Sequence, residues 1–495
     1  LRERRRRARA AAPPPEPPCQ LDQLLADAPA DPTSARDAVA PLWHIKHKDQ
    51  FLAKNDALRR VLEQLTASPP ELDRHVCMFD SDEPRTKVEF AVGTEGEVGF
   101  KCGDGAIRLP GAAEAVVASW MLAVAEHLSR HPILRLRSVL LRGSQKHFER
   151  DRAIILVGDD DLPNLGLPTE LVDAILSYAG APRGLDVQAL RALARARDTY
   201  GSSEYPPRLT SIAWGRSLEH LRECLVDAPS AVPGAYDERV TLAMFRPEIT
   251  MTYRVSPGAF FQTKTGAAGD LINKCERYAS GVFRSESSDR TRHSRSEGLE
   301  GASVLDACCG GGCLGLGLAR AGRFRRVVGV ELSGAACDDA RFNAAQQGLD
   351  FEVWQGRAED AMPEILAKYI GEDFVVVLDP PRVGLQPSVA KALRREPRVR
   401  RVVLVSCNPR GKFHRADFVV KGGGLRNTAR ILCKPGGATL PFELRRAGQI
   451  DMFAHTAHIE CVLCFDRVDV PFAKPAPPPL GVGDPFSDLA SGGET

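Results

Sequence analysis

The sequence predicts an α/β protein in which a Rossmann-like domain follows a mixed α+β domain. Between residues 303 and 405, apolar runs alternate with helical patterns, which is typical of a parallel sheet covered by helices on both faces. The chain has 495 residues, more than one hydrophobic core usually serves, so we expect at least two domains. Its 43% hydrophobic and 26% charged residues are ordinary for a soluble globular protein.

The first half of the chain divides into a tail and a mixed domain. Residues 1–35 are rich in Arg, Ala and Pro, and we expect a disordered basic, Pro-rich tail there because such a composition buries little apolar surface. Residues 36–250 are expected to form an N-terminal helix and then the mixed α+β domain. Apolar spacing predicts helices at 43–65, 112–128 and 187–197, and strands at 88–93, 98–100, 139–141 and 153–157.

Residues 251–467 are expected to form the Rossmann-like domain, followed by a loose tail at 468–495. Residues 284–300 contain almost nothing apolar and predict a disordered insertion. The helix before this insertion is predicted at 265–278. After it, strands are predicted at 303–306, 326–331, 351–353, 374–378, 402–405 and 462–465, and helices at 314–321, 335–347, 361–370 and 388–395.

The charge distribution and the cysteine content limit the possible binding partners and the cellular compartment of the protein. The formal net charge is only +2, but residues 4–7 and 393–401 are basic, and a local basic face suffices to follow phosphates. Thirteen cysteines without zinc-site spacing indicate a reducing compartment and no metal. No apolar run reaches the ~18 residues of a membrane span. We therefore expect an intracellular monomer in the cytoplasm or nucleus, with an organelle left open because the Arg-rich start also fits a transit-peptide remnant.

A glycine-rich turn between the first strand and first helix of the Rossmann-like domain predicts a cofactor site. It runs from Asp306 through Cys308, Gly310 and Gly312, and its glycines allow the backbone to approach a ligand closely. Glu331 ends the next strand, where a carboxylate accepts ribose hydroxyls. Asp306 would repel a pyrophosphate and the glycines are consecutive, so S-adenosylmethionine fits better than a dinucleotide. A plain strand–turn–helix with packing glycines is the alternative.

Two further motifs follow the fourth and fifth strands, at the sheet edge where α/β enzymes place their chemistry. Asp379 begins Asp-Pro-Pro-Arg, and Cys407 lies in Ser-Cys-Asn-Pro. A cysteine beside a cofactor site indicates a nucleophile, although free cysteines are more often buried structural residues. Glu460, next to the last predicted strand, is the candidate base, with His455 and His458 as rivals.

A thiol and a base together suit methylation of a pyrimidine carbon. C5 of uracil is a poor nucleophile until a thiolate adds to C6 and raises the electron density at C5. The methylated adduct retains a proton on C5, which a base must remove before the thiolate leaves. A free thiol has a pKa of about 8.5, so such a site must also deprotonate its cysteine.

Five motifs in order resemble the RNA 5-methyluridine methyltransferase family, and most closely its eukaryotic tRNA (uracil-5-)-methyltransferases. They lie at 256–262, 306–312, 379–382, 406–409 and 451–460. The resemblance implies that Cys407 is the nucleophile and Glu460 the proton acceptor. It implies that Gln262, the loop around Cys308, Glu331 and Asp379 hold S-adenosylmethionine, and that the substrate is a uridine in folded RNA, most often the T-loop of tRNA.

The chain departs from the family pattern in its substrate-docking residues. Lys264 stands where the family usually has Asn, and the family usually has a Glu near the position of Gly269. Residues 84–87 read Pro-Arg-Thr-Lys in place of the family pattern. Phe260 and Phe261 offer a stacking face for a splayed base. The cations near the motif loops that are candidates to contact phosphates are Arg85, Lys87, Arg382, Arg410 and Lys412.

Three other functions compete with this interpretation. A methyltransferase directed at an exocyclic amine would carry Tyr or Phe where Arg382 stands. A DNA cytosine-C5 enzyme would place its cysteine after the fourth strand, where this chain has Asp379-Pro380-Pro381. A catalytically silent RNA-binding or tRNA-folding protein would not need both Cys407 and Glu460.

Overall fold

The described part of the chain contains two seven-stranded sheets and one two-stranded hairpin. The computed structural model describes residues 18–28, 31, 33–73, 85–110, 117–130, 132–133, 135–143, 152–158, 209–226, 232, 235–242, 248–281, 298–411, 424–437 and 439–468. The helix predicted at 187–197, most of the insertion predicted at 284–300, nearly all of the C-terminal tail and Lys412 lie outside these residues.

Three helices precede the first sheet: α1 (Gln20–Ala26), α2 (Ala35–Val39) and α3 (His47–Leu65). The tail predicted for residues 1–35 therefore ends earlier than expected, because α1 buries Cys19 and Leu21 against α3. The helix predicted from residue 43 begins at His47. Leu58, Val61 and Leu62 of α3 pack into the core of the second sheet, so α3 belongs with the Rossmann-like domain and not with the mixed domain to which the sequence assigned it.

The first sheet forms the mixed domain. Its elements are β1 (Lys87–Val92), β2 (Val98–Lys101), β3 (Ile107–Arg108), α4 (Ser119–Arg130), β4 (Leu136–Gly143), β5 (Arg152–Gly158), β6 (Leu209–Gly215) and β7 (Leu221–Val226). The strand order is β3-β2-β1-β4-β5-β6-β7, and only β5 and β6 pair in parallel. Helix α4 covers one face through Met121, Leu122, Ala125 and Leu128.

A hairpin of β8 (Tyr236–Leu242) and β9 (Ile249–Val255) follows. It packs on α5 (Thr265–Ser280), and Val240, Met251 and Tyr253 share a core with that helix. The domain boundary predicted at residue 251 thus falls inside a hairpin, and the structure moves it to the start of β8.

The second sheet carries the alternating pattern seen in the sequence. Its elements are β10 (Ser303–Ala307), α6 (Cys313–Ala321), β11 (Arg326–Glu331), α7 (Gly334–Gln346), β12 (Glu352–Gln355), α8 (Ala358–Lys368), β13 (Phe374–Leu378), α9 (Pro387–Arg395), β14 (Val399–Ser406), α10 (Gly424–Cys433), β15 (Phe442–Ile450) and β16 (Glu460–Arg467). The order is β12-β11-β10-β13-β14-β16-β15. The first five strands are parallel, and β16 is antiparallel to both of its neighbours.

Both faces of this sheet are covered, as the apolar strands predicted. Every residue of β10 and β13 is buried. Helices α5, α6 and α7 share a core on one face, and α3, α8, α9 and α10 share a core on the other. From β10 the chain first builds β11 and β12 on one side and then crosses to build β13 and β14 on the other side. Ligands of open α/β sheets bind in the crevice where the strand order switches direction in this way.

Candidate active site

A cavity of about 920 Å³ lies at the carboxyl ends of β10, β11, β13 and β14. Eight of the nine residues that the sequence selected line it: Gln262, Asp306, Cys308, Gly310, Glu331, Asp379, Cys407 and Glu460. All five motifs thus meet in one crevice, and three of them do so because the carboxyl ends of parallel strands share an edge.

The glycine-rich loop is fixed to β11 by backbone hydrogen bonds. The N–H groups of Cys308 and Cys309 both donate to the Val330 carbonyl, at 2.8 and 3.0 Å. Cys308 has a positive φ of 73° and Gly310 one of 55°, and only glycine adopts that region without strain. The loop therefore holds a strained residue against the cavity, as functional loops commonly do.

Gly312 is the one selected residue outside the cavity lining. Its φ is 88°, and a Cβ there would come within 3.0 Å of Leu316 and 3.4 Å of Phe351. Gly312 lets the chain turn into α6 under those side chains, and its contact with a cofactor stays a prediction.

Glu331 ties the loop to the end of β11. The N–H of Gly310 donates to its Oε2 (3.0 Å) and the N–H of Ser333 donates to its Oε1 (2.8 Å). A carboxylate oxygen accepts more than one hydrogen bond, so both oxygens retain capacity for a ligand. Contact with a ribose stays a prediction.

Asp306 is a buried carboxyl at the base of the cavity. Its side chain is fully buried, and neither oxygen has a well-formed hydrogen bond among the described residues. Burial raises the pKa of Asp306 to about 7, and the nearby N–H of Gly315 offsets only part of this rise. A buried carboxyl without a partner indicates that a ligand supplies the missing donor.

Asp379 accepts a hydrogen bond from Gln262. Gln262 Nε2 lies 3.0 Å from Asp379 Oδ2. Burial raises the pKa of Asp379 to about 6, and the Gln262 amide works against this rise. The two residues come from motifs at 256–262 and 379–382, so the predicted convergence of these motifs is seen directly.

Thr86 and Arg142 of the mixed domain hold the loop that carries Gln262, a role that the sequence did not indicate for either residue. Thr86 donates from its N–H to the Thr263 carbonyl (2.8 Å) and from its hydroxyl to the Gln262 carbonyl (3.3 Å). The buried guanidinium of Arg142 donates to the carbonyls of Ser256, Pro257 and Ala259, at 2.7 to 3.2 Å. The mixed domain thus shapes one wall of the cavity.

Cys407 lies half-buried at the turn after β14. Burial first, and then the charges of Glu460 and Asp379, raise the pKa of its thiol to about 12, and Arg382 opposes them. The thiol is therefore protonated in the free protein, and its activation requires a change in these surroundings.

Strand pairing places Glu460 beside Cys407. Antiparallel β14 and β16 pair Ser406 with Cys461, so the next residues along the two strands, Cys407 and Glu460, lie side by side at the strand ends. Glu460 is 2% exposed, and its Oε1 has no hydrogen-bond partner among the described residues. Burial first, and then the charge of Asp379, raise the pKa of Glu460 well above its usual value, while Arg382 lowers it.

The rival histidines do not line the cavity. The amide of Gln50 hydrogen-bonds through Nε2 to His455 Nδ1 (3.0 Å), and the backbone N–H of His455 donates to Gln50 Oε1 (2.8 Å). His458 packs edge-on against Phe453. Of the three candidates for the base, the structure brings only Glu460 to Cys407.

Helix α3 braces the segment that leads to Glu460. The buried ammonium of Lys54 donates to Asp451 Oδ1 (3.2 Å) and to the Phe453 carbonyl (2.8 Å). His47 Nε2 hydrogen-bonds to Asp451 Oδ2. Phe453 itself lines the cavity, so the N-terminal helix supports the wall of the site.

The cavity carries more acids than bases. Its described lining includes five carboxyl groups and two guanidinium groups: Asp306, Glu331, Glu359, Asp379 and Glu460, with Arg357 and Arg382. Such a lining fits a ligand that carries positive charge and disfavours a pyrophosphate.

Two exposed apolar side chains stand at the cavity. Phe260 and Leu332 are each 64% exposed and both line it. The sequence indicated Phe260 as a stacking residue. It gave no signal for Leu332 except its position directly after Glu331, where an adenosyl group would need an apolar surface.

The other cations that the sequence selected have different surroundings. Arg85 donates to the Val39 carbonyl (3.4 Å), and Arg410 pairs with Asp22. Burial lowers the pKa of Lys87. Only Arg382 of the described candidates lines the cavity.

Within the described ranges, no set of three or more His, Cys, Asp or Glu side chains is arranged to hold a metal ion. In the same part of the chain, no helix combines the length and the apolar character of a membrane span.

A family model described as a methyltransferase domain matches residues 304–401. These residues run from β10 to the start of β14 and include the glycine-rich loop, Glu331 and Asp379. The fold is that of a methyltransferase. This confirms the fold class predicted from the alternating strands and helices.

The curated relatives confirm the resemblance that the motifs indicated. The tRNA (uracil-5-)-methyltransferase homolog A of Homo sapiens is 37% identical over 226 residues, which are 45% of this chain and 31% of that protein. Homolog B of Mus musculus is 35% identical over 230 residues, or 45% of this chain and 41% of that protein. The chain thus spans about a third to two fifths of the length of these relatives.

A solved structure matches a larger share of the chain. The crystal structure of Pyrococcus abyssi tRNA (uracil-54, C5)-methyltransferase in complex with S-adenosyl-L-homocysteine aligns with a TM-score of 0.51 and 20% identity. The alignment covers 86% of this chain and 85% of that one. At this identity the match concerns the fold, and it includes more of the chain than the methyltransferase domain alone.

Proposed function

We propose that this protein transfers a methyl group from S-adenosylmethionine to C5 of a uridine in RNA, with a uridine of the tRNA T-loop as substrate. The observation that carries the proposal is the pairing of Cys407 and Glu460 at the ends of β14 and β16, inside the cavity that also holds the glycine-rich loop. A carbon methylation needs both a thiol and a base, and its cofactor must lie beside them. The names of the relatives agree with this chemistry.

The cavity fits S-adenosylmethionine by charge and by shape. This cofactor supplies a methyl group on a cationic sulfonium. The buried and unpartnered oxygens of Asp306 suit a donor on its amino acid part, and Glu331 suits its ribose. Leu332, which is exposed at the cavity, suits its adenine. Gln262, Cys308, Gly310 and Asp379 line the same cavity, and we propose them as further cofactor-binding residues.

Cys407 and Glu460 divide the chemistry at the base. Cys407 gives up its proton to solvent, and its thiolate bonds to C6. The electron pair displaced from the C5–C6 double bond makes C5 the nucleophile that takes the methyl group as the bond between that group and the cofactor sulfur breaks. Glu460, in its ionised form, then removes the proton from C5. The electrons of that C–H bond restore the C5–C6 double bond as the Cys407–C6 bond breaks and the thiolate leaves.

The free protein does not favour the protonation states that this sequence needs. The pKa of Cys407, about 12, keeps its thiol protonated, and the raised pKa of Glu460 favours its protonated form. Arg382 is the cation that lowers the pKa of each of them. We infer that Arg382 helps to ionise the pair, and that activity rises with pH through the range in which Glu460 loses its proton.

The mixed domain is the proposed RNA-substrate domain. A stacked uridine cannot expose C5 and C6 to Cys407, so the base must leave its stack. Phe260, exposed beside the glycine-rich loop, offers a face for the displaced base.

An RNA substrate implies an intracellular site of action, and we propose the cytoplasm or nucleus. We propose that the protein acts as a monomer.

A covalent trap tests the proposal. The protein is incubated with S-adenosylmethionine and tRNA that contains 5-fluorouridine, and the products are separated on a denaturing gel. Fluorine cannot leave C5 as a proton does, so a methylated adduct should accumulate with the wild type and be absent with Cys407→Ala. The matched control is Cys313→Ala, because Cys313 lines the same cavity, burial also raises the pKa of its thiol, and no cofactor contact is assigned to it.

The outcomes separate the rival functions. An adduct lost only in Cys407→Ala supports the proposal. Methyl transfer to ordinary tRNA without any adduct would replace it with an amine-directed enzyme. RNA binding without cofactor affinity or methyl transfer would replace it with a silent RNA-binding protein.

A further inference from the structure

A second cavity, of about 880 Å³, lies where the ends of α3 and α9 meet α10. We name it the basic cavity. Its described lining consists of Leu65, Lys391, Arg394, Arg395, Arg426, Ala429, Arg430, Ile431, Cys433, Lys434, Pro435, Gly436, Gly437 and Thr439.

The basic cavity has the opposite charge to the candidate active site. Six of its fourteen described lining residues are Lys or Arg, whereas the whole chain has 66 of these among 495 residues. No carboxyl group is among those fourteen residues. A cavity of one sign concentrates ions of the other sign far beyond what a net charge of +2 indicates.

One of the six cations is structural. The guanidinium of Arg394 donates to the carbonyls of Lys434, Gly436, Thr439 and Leu440, at 2.5 to 3.2 Å, and so fixes the loop that forms the cavity wall. The other five are exposed. Among the described residues, their side-chain partners are neutral: Gln64 for Arg426, and Asn427 for Arg430 (3.0 Å).

Helix dipoles do not account for this cluster. Cations are favoured in the last turn of a helix, and Arg395 of α9 and Arg430 of α10 have that position. Arg426, however, lies in the first turn of α10, where a cation is unfavourable. Lys391 lies in the middle of α9. These two residues point to a bound anion as the reason for the cluster.

Helix α9 connects the two cavities. Gln386 and Val389 at its start line the candidate active site, and Lys391, Arg394 and Arg395 further along line the basic cavity. The helix has nine residues, which span about 13 Å at 1.5 Å per residue. One nucleic acid can therefore reach both cavities.

We propose that the basic cavity binds backbone phosphates of the RNA substrate, at a distance from the base that is modified. The proposal rests on the proposed function in that RNA is taken as the ligand. Arg and Lys on an exposed cavity rim contact phosphates without reading sequence. The apolar floor formed by Leu65, Ala429 and Ile431 suits the ribose of a bound nucleotide.

The test neutralises two of the exposed arginines. Arg426→Gln/Arg430→Gln is compared with the control Arg325→Gln/Arg341→Gln, which removes the same charge from residues that are 62% and 46% exposed outside both cavities. The affinity for unmodified tRNA is measured as a function of salt concentration. The affinity for S-adenosylhomocysteine and the kinetics of methyl transfer are measured alongside.

Loss of one phosphate contact should weaken binding about 5-fold at ~0.15 M salt, and loss of two about 20-fold. The slope of log affinity against log salt should become shallower by about 1.4 to 1.8. The KM for tRNA should rise with kcat and S-adenosylhomocysteine affinity unchanged, and the control should match the wild type.

Other results would overturn the inference, or would show that the proposed function fails while the inference holds. A double variant with the tRNA affinity and salt slope of its control overturns the inference and leaves the proposed function intact. A double variant that loses binding to anionic phospholipid vesicles, but not to tRNA, also overturns it. Weakened tRNA binding in a protein that transfers no methyl group supports the inference while the proposed function fails.

Discussion

Replacement of Asp306 by Asn should change how the stability of the protein depends on pH. Burial raises the pKa of Asp306 from 3.8 to about 7. Between these values the folded protein holds a proton that the unfolded chain has released, so this group's contribution to stability falls as pH rises through the window. The Asp306→Asn variant would carry no ionisable proton at this position and so would lack this dependence.

The expected size follows from the width of the window. Between pH 5 and pH 7 the folded state retains the proton over two pH units, which corresponds to roughly 3 kcal/mol. The variant should therefore gain roughly 3 kcal/mol relative to the wild type between pH 5 and pH 8. Any constant penalty from the new amide cancels in this comparison, because it applies at every pH.

Urea-unfolding midpoints at pH 5, 6, 7 and 8 measure the effect. The control is Asp338→Asn, which makes the same chemical change where the side chain is 73% exposed. A difference between Asp306→Asn and the wild type that stays constant with pH would refute the reasoning. If Asp306 also holds the cofactor, the variant should bind S-adenosylhomocysteine more weakly although its stability relative to the wild type increases toward pH 8.

Two further substitutions test the proposed base and the contact between Lys54 and Asp451 that supports the site. Glu460→Gln removes the proposed base but keeps the shape, so a methylated covalent adduct should persist with ordinary tRNA and appear as a shifted band on a denaturing gel; full turnover by this variant would exclude Glu460 from the role. Lys54→Met removes the ammonium that lies 3.2 Å from Asp451 and should lower the stability by about 3 kcal/mol, because a buried carboxylate loses a partner. Adding Asp451→Asn should recover much of that loss in chemical denaturation, and a double variant as unstable as the sum of the two singles would contradict the account.

The parallel sheet was predictable because its strands are locally distinctive. Phe374–Leu378 is apolar throughout, and a buried parallel strand needs only that. β15 gave no such signal, because Arg445 and Arg446 interrupt its apolar pattern. Its pairing with β16 accommodates them by a register shift between Leu444 and Arg446.

The residues of the candidate site were predictable from motifs, but the long-range contacts that hold them in place were not. Asp379 and Cys407 follow strands whose ends must share an edge, so the sequence brought them together. The contact between Lys54 and Asp451 joins residues 397 positions apart, and local pattern carries no information about such a pair. The same holds for Arg142 and the loop at 256–259.

The raised pKa values could not be predicted from residue type. Glu460 was expected to stand before the last strand, and it is in fact the first residue of β16. That shift turns a solvated carboxylate into a buried one beside Cys407. Gly312 has a backbone role that the residue type does suggest, because its φ of 88° favours glycine.

Release of tritium from C5 tests the central claim most directly. The substrate is tRNA with tritium at C5 of its uridines, and both the tritium released to water and the methyl groups transferred are counted for the wild type and for Cys407→Ala. The account predicts one tritium released for each methyl group transferred, and neither event in the variant. Methyl transfer without tritium release, or equal release by Cys407→Ala, would contradict it.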